Sequence, residues 1–268
     1  MRRCNAPDAF IRDMIEPICL GAMNEPIATA DATSFGRVLA ESFASKSCAR
    51  LGWFNAPLQQ ALIEPVIRKT EQSGATIHCC HSVRSVTKEL SGISVDGEHF
   101  DAAVIALPAY ARNRLLGCHG PCATGVISNI HLWYQDHPGL PEPFIGGIGT
   151  LGQWFFDISA QTVQSDESIR HLCVVISADP LNMARDSVIK QVHRELSHIC
   201  GYRHMPSHVR MVREKRATVL VRRHQHASTT PGIIDASESP PPGELPATIE
   251  FAVQRGEKVA LEVIGQFK

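Results

Sequence analysis

The chain has 268 residues, enough for one large domain or two small ones around a substantial core. Hydrophobic residues make up 44% and charged residues 20%, which excludes a disordered chain, and a formal net charge of −1 excludes the broad basic field of a nucleic-acid binder. Nine scattered cysteines, an odd number, exclude a complete secreted disulfide framework and suit a reducing cytoplasm.

In chain order, the basic start Met1-Arg2-Arg3 leads into no apolar signal segment, because Asp8, Arg12, Asp13, Glu16 and Pro17 interrupt it. No run approaches the ~18 apolar residues of a membrane span. A soluble, cytoplasmic protein is expected, at most peripheral to the inner membrane. Ile11, Met14, Ile15 and Ile18 recur at helical spacing, and 32–43 gives a second helix. A third starts near Asn55-Ala56-Pro57, runs through Leu58, Leu62, Val66 and Ile67, is kinked by Pro65 and stops at Gly74.

From residue 75 the pattern changes. Residues 75–80 read as a short strand, 81–88 alternate around Val83 and Val86, and Ser91-Gly92 and Asp96-Gly97 are hairpin-type turns. The apolar run 102–107, closed by Pro108, fits a strand buried on both faces of an α/β sheet. Further strands are expected over 124–134, 153–158 and 171–178, with a Pro- and Gly-rich loop at 138–152. Val188, Val192, Leu196 and Ile199 make a helix over 187–200 that Gly201 ends. Residues 217–244 lose all periodicity and read as an anomalous loop or disordered tract, longer than compact domains ordinarily carry. Leu245-Pro246-Ala247-Thr248 then opens a last helix, with Ile249, Val253, Gly256, Ala260 and Val263 along one side.

Several patterns suggest chemistry and are better read as structure. Gly147-Ile148-Gly149-Thr150-Leu151-Gly152 matches G-x-G-x-x-G, but prolines precede it and a strand follows it, the reverse of a dinucleotide fingerprint. His78-Cys79-Cys80-His81 cannot all reach one ion, since strand neighbours point to opposite faces, so no metal site is expected. Cys118-His119-Gly120-Pro121-Cys122 has the wrong spacing for a redox pair. Arg222, Arg223, His224 and His226 form one short basic patch, read as a solvated loop. Alternation puts Trp154 and Phe156 on one strand face, where they either line an apolar tunnel or pack in a core; His131 and Trp133 share a face in the same way.

Four stretches in order, 17–24, 74–108, 153–157 and 245–256, resemble the squalene-associated flavin-dependent desaturases, also called hydroxysqualene dehydroxylases, of the amine oxidase and phytoene desaturase superfamily. The likeness covers roughly residues 10–215 and 245–264. It implies an α/β protein: part of an FAD-binding, Rossmann-like domain with an α+β substrate-binding domain. Residues 1–74 are then the helical part of the substrate domain, 75–117 the β-meander and a strand of the FAD domain, 118–216 substrate domain again, and 245–268 the last helix of the FAD domain. Val83 matches the meander position whose backbone meets adenine, and Leu245, Pro246, Ala247 and Thr248 match the helix start against the flavin pyrimidine edge. A helix amino terminus suits that place on physical grounds too, since reduced flavin carries negative charge near N1 and O2.

The resemblance implies FAD as cofactor and an apolar C30 or C40 polyisoprenoid substrate, such as hydroxysqualene, squalene or a carotenoid precursor, in an isoprenoid pathway such as hopanoid synthesis, with Trp154 and Phe156 in the substrate pocket. Two departures stand beside it. The family's opening strand and glycine-rich turn, which hold the FAD pyrophosphate, have no match, and its Gly-Asp stretch before the final helix is replaced by Pro240-Pro241-Pro242-Gly243-Glu244. One expectation joins them: a truncated copy with a lost upstream start and a frame change across 217–244. A non-catalytic fragment unable to bind FAD alone, or completed by a separate chain, is the alternative, and a flavin amine oxidase-like enzyme is a third. No catalytic residue is assigned, and Asp157, the carboxylate of the 153–157 stretch, is given no catalytic role.

Overall fold

The computed structural model describes residues 5–118, 123–135, 137, 139–162, 168–221, 230–237 and 240–267. Within it the chain forms two compact units. One takes the residues up to Gly21, Ala49–Cys79 and Val126–Lys215; the other takes Ala22–Cys48, Cys80–Gly125 and the residues from Arg216 onward. Residues 22–48, grouped with the helical start from sequence, thus belong with the meander and the terminal helix.

The first unit is built on a five-stranded sheet in the order β6-β7-β8-β5-β9. Its strands are β5 (Thr124–Gln135), β6 (Phe144–Gly146), β7 (Trp154–Asp157), β8 (Ile169–Ser177) and β9 (His208–Val219). Alternation sends Ile130, Leu132, Tyr134, Phe155, Leu172, Val174 and Ile176 to one face, where α6 (Arg185–Cys200) packs through Val188, Ile189, Val192 and Leu196. That is the core of the unit. Gly201, with φ +76°, ends α6 as expected. Two strands lie where sequence gave none: β6 falls inside the expected 138–152 loop, and β9 has Val209 and Met211 on the core face against His208 and Arg210 on the other.

The helical start is α1 (Asp8–Phe10), a π-helical turn at Ile11–Ile15 and α2 (Glu16–Met23); the third helix repeats the device as a π turn at Gln59–Ile63 followed by α4 (Glu64–Gln72). Each wide turn closes on the residue before a proline: the Glu16 N–H reaches the Ile11 carbonyl, and the Glu64 N–H reaches that of Gln59. A proline ring crowds the carbonyl four residues back and supplies no N–H. Widening the turn ahead of Pro17 and Pro65 moves that carbonyl aside, so the expected kink at Pro65 takes the form of an inserted residue. Residues 75–80 are not a strand: all six are exposed, and none joins a β-ladder among the described residues.

The second unit holds a three-stranded meander of β1 (Val86–Glu89), β2 (Gly92–Val95) and β3 (Glu98–Phe100). Asp96 (φ +50°) and Gly97 (φ +91°) make the type I′ turn the Asp-Gly pair predicts. The Asp96 carboxylate accepts from the N–H groups of Arg84 and Ser85 at 2.9 and 2.8 Å, which holds its pKa below the usual carboxylate range. The apolar run gives β4 (Ala103–Ile105), paired in parallel with β10 (Ile233–Asp235). β10 and the residues beyond it correct the reading of 217–244 as loop: Ile234 is buried, Pro240 is fully buried, and the Gly243 N–H donates to Ser34 Oγ of α3 (Ala32–Ser42) at 2.9 Å. Burial on both faces of β4 is also corrected. Ile105 is buried, but Val104 is 45% exposed, because it faces a recess rather than a packed layer. Helix α5 (Ala109–Leu116) follows Pro108, and α7 (Ile249–Gln266) ends the chain. Among the described residues no helix is long and apolar enough to cross a membrane.

Candidate functional site

The face of the five-stranded sheet turned away from α6 has a different composition from the core. Strand registers align Phe144, Phe156, Cys173 and His131 in one row across β6, β7, β8 and β5. Trp154 stands beside that row opposite Gly146, and His171 stands opposite Trp133. The rings touch: Phe144 lies 5.7 Å from Phe156 and 6.0 Å from Trp154, and Trp53 meets Phe144 edge-on at 5.9 Å. Trp154 and Phe156 are half-buried, while Phe155 between them is fully buried in the α6 core. The sequence thus paired the two aromatics correctly, and the structure separates their face from the packed one. A recess of about 370 Å³ in this unit is lined by Trp53, Phe54, Asp157 and Arg170, not by Trp154 or Phe156.

Next to the aromatic row lies a histidine cluster. His131 Nδ1 and His171 Nε2 are 3.1 Å apart, and Trp133 stacks on the His171 ring at 4.1 Å and 19°. Trp133 also meets His208 at 5.0 Å. Burial, with a smaller contribution from His131, pushes the His171 pKa down to about 4 against the opposing pull of Asp157. Burial and Arg210 lower that of His131. Both rings are therefore neutral near pH 7. A depressed histidine pKa means that the unfolded chain takes up the proton first. The stability this represents is complete above about pH 6.5 and is lost as pH falls toward 4, by about 3 kcal/mol at most. Urea midpoints measured from pH 7 to pH 4 should show this loss, and His171→Gln should flatten it; equal slopes for the two proteins would show that His171 does not titrate in folding.

In the second unit, Val83 lies at a recess of about 750 Å³ with Val86, Val95, β4 and the two residues after it (Ala103–Leu107), and Arg84 and Arg114. Val83 is exposed, and its N–H and C=O make no hydrogen bond among the described residues. Leu245–Thr248 belong to the same unit but do not line this recess. Leu245 and Pro246 are buried. The helix starts later than expected: α7 begins at Ile249 with Thr248 as its cap, so Pro246 precedes the first turn. Its buried side is also different. Phe251 and Val259 are buried, whereas Ile249 and Val253 are more than half exposed. Thr248 Oγ1 accepts from the Phe251 N–H at 3.2 Å. Thr248→Ala should cost about 1 kcal/mol in a thermal melt and Thr248→Ser almost nothing; equal melting of all three would remove the cap from the account.

Asp235, which sequence reading passed over, ties this unit together. Its carboxylate pairs with Arg112 of α5 and accepts from the Ser237 N–H, and its carbonyl accepts from Arg255 of α7. Beyond it, Ser237 is buried at the carboxyl end of β10, with both its side chain and its N–H set against the Asp235 carboxylate, whose pKa they help to lower.

The other sequence patterns resolve as structure. The Gly147–Gly152 loop has its amides taken by a side chain: the N–H groups of Leu151 and Gly152 donate to Glu195 of α6 at 2.7 and 3.0 Å. A side chain at Gly147 or Gly152 would press within 3 Å of the Phe155 ring, which is what those glycines are for. His78, Cys79, Cys80 and His81 are all exposed, and no group of three or more metal-ligating side chains is placed to hold an ion among the described residues. His119–Cys122 and the basic patch Arg222–His226 lie outside the described residues.

Comparison with known proteins agrees with this architecture. The chain is 26% identical over 275 residues to a hydroxysqualene dehydroxylase from Sinorhizobium fredii, an alignment covering 96% of this chain and 63% of that protein. The chain therefore spans somewhat under two thirds of the length of that relative. In fold it is similar to an oxidoreductase from Methanosarcina mazei (TM-score 0.69, 12% identity, 97% of this chain and 66% of that one). It is also similar to a putative protoporphyrinogen oxidase from Exiguobacterium (TM-score 0.56, 16% identity, 95% and 64%). The profile of the flavin containing amine oxidoreductases matches residues 2–263, nearly the whole chain, and the chain belongs to that family.

Proposed function

We propose that this chain carries the substrate surface and part of the nucleotide cradle of a flavin-dependent oxidoreductase acting on an apolar polyisoprenoid, with hydroxysqualene the best match. One observation carries the reading: an aromatic row, Phe144, Phe156 and Trp154, is held half-buried on a sheet face separate from the α6 core. Aromatic side chains spent outside a core suit a ligand that is long, apolar and unsaturated. The likeness to a hydroxysqualene dehydroxylase supports that ligand class.

The residues present fit one end of FAD. The unused backbone groups of Val83 suit the polar edge of adenine, Arg84 and Arg114 suit phosphate, and the apolar wall from Ala103 to Leu107 suits the ring face. The capped start of α7 would serve the flavin end, as a positive helix terminus near N1 and O2. Bound reduced flavin supplies hydride. The chain's own part is to hold the hydrocarbon against Trp154 and Phe156 and to keep water from the reacting carbon.

Quenching of tryptophan fluorescence by β-farnesene in mild detergent tests the substrate side. Phe156→Ala and Trp154→Ala should each weaken binding about tenfold, or 1.4 kcal/mol, while leaving the fold intact. Wild-type affinity in both variants would end the reading. Flavin absorbance after adding FAD reports the cofactor side separately: a colourless protein that still binds farnesene is a substrate-holding fragment, not an enzyme by itself.

A further inference from the structure

We propose that His131 and His171 form a two-imidazole proton relay that presents His131 Nε2 to the hydroxyl group of a ligand held on the aromatic face. The inference rests on the substrate reading above and adds to it the residues that meet the polar end of the molecule. The geometry comes first. His131 stands in the same cross-sheet row as Phe156, separated from it only by Cys173 on β8. Adjacent strands are about 4.8 Å apart, which places the imidazole roughly 10 Å along the sheet from the Phe156 position. A prenyl chain lying on the aromatic row would therefore end near it. The Cys173 thiol between them is pushed up to about 12 by burial and stays protonated, so it offers no charge.

The pair is wired in one way. Nδ1 of His131 faces Nε2 of His171 at 3.1 Å, which uses one nitrogen of each ring. The remaining nitrogens, Nε2 of His131 and Nδ1 of His171, make no hydrogen bond among the described residues. His131 is partly exposed and His171 is 6% exposed, so the free nitrogen of His131 is the one a ligand can reach. Trp133 stacked on His171 fixes the inner ring. The charged and titratable groups facing the pair are Arg210, which disfavours a proton on His131, Asp157, which favours one on His171, and His208 across Trp133. Two neutral imidazoles in line can pass a proton without either becoming charged. When Nε2 of His131 gives up its proton, Nδ1 takes one from His171 Nε2, and the relay requires that His171 Nδ1 take one from water through the 6% of that residue left exposed.

For an allylic alcohol the step balances. The C–O bond breaks with its electron pair on oxygen, and the oxygen takes the His131 Nε2 proton and leaves as water; the hydride that the carbon then needs is what reduced flavin would supply. A hydroxyl bound to neutral imidazole needs no buried charge before that moment, which suits an apolar face. In this arrangement His131 touches the substrate, and His171 is a positioning and relay residue.

The test uses a pair of probes that differ in the hydroxyl: all-trans-farnesol and β-farnesene, in detergent, with ¹⁵N-labelled histidine followed by NMR. Farnesol should shift the His131 Nε2 resonance and farnesene should not. His131→Gln should lower farnesol affinity about tenfold, to the farnesene value, with farnesene binding unchanged. His171→Gln should keep farnesol binding but lower flavin-dependent turnover about a hundredfold at unchanged KM, an outcome that a merely structural role would not give. If farnesene binds but farnesol leaves His131 undisturbed, the relay is wrong and the substrate reading survives. If neither probe binds, the substrate reading falls and the relay falls with it.

Discussion

Asp179→Ala should be among the most damaging single changes in this protein, costing about 3–5 kcal/mol in urea denaturation. Asp179 is 8% exposed and sits where three things meet. Its Oδ2 accepts from Ser128 Oγ and from Arg213 Nε, the latter at 3.2 Å. Its Oδ1 accepts from the Leu181 N–H at 2.8 Å. Arg213 in turn donates to the Met183 carbonyl at 3.0 Å, so the pair fastens β9 to the turn after β8. That turn holds Ala178 and Leu181 at φ +50° and +58°, a backbone region that costs an ordinary residue roughly 1–2 kcal/mol. Alanine at 179 would remove the bond that holds Leu181 there and leave a guanidinium, 24% exposed, without its carboxylate. Asp179→Asn should cost less, since its amide oxygen still accepts. The double change Asp179→Leu with Arg213→Met should recover part of the loss, because apolar replacements remove the buried charge altogether. A single alanine variant within about 1 kcal/mol of wild type would reduce the network to an ordinary surface pair.

The second large effect falls on Phe155. Phe155→Ala should cost about 3–5 kcal/mol, whereas Trp154→Ala, one residue away, should cost less than half of that. Phe155 has no exposed surface, belongs to the α6 core and lies against the backbone at Gly147 and Gly152. The cavity left by its ring has rigid walls on that side and little chance to collapse. Trp154 lies on the opposite face, with its indole Nε1 3.5 Å from the position a side chain at Gly21 would take. Denaturation measures the first cost and ligand binding the second role. Equal destabilisation by the two changes would mean that the sheet has two core faces and no ligand face.

What the sequence showed of this fold follows from the range of each interaction. Helices α3 and α6 were legible because a single turn of apolar spacing and a local stop decide them. The Asp96-Gly97 turn was legible for the same reason. Strand β9 was not, because its outward residues are charged and the alternation of Val209 and Met211 is hidden among Arg, Glu and Lys. Strand β10 was missed because three residues carry no periodicity, and only pairing with β4, some 130 positions earlier, makes them a strand. The site divides along the same line. Trp154 and Phe156 could be placed on one face from alternation alone. Their row with Cys173 and His131, and the approach of His171 to His131, depend on the register of β7, β8 and β5, which no local pattern encodes. Val83 was proposed by resemblance alone, and Asp235 sat in a stretch whose composition pointed to loop.

The Gly147–Gly152 loop carries a lesson in competition. The Glu195 carboxylate that holds the Leu151 and Gly152 amides is tethered within the same unit, so its effective concentration at those N–H groups is on the order of millimolar or more at all times. Any free phosphate or nucleotide arriving there must evict a resident anion that never diffuses away. The most dinucleotide-like string of letters in the chain is thereby chemically silent: its seat is filled from inside before any visitor comes.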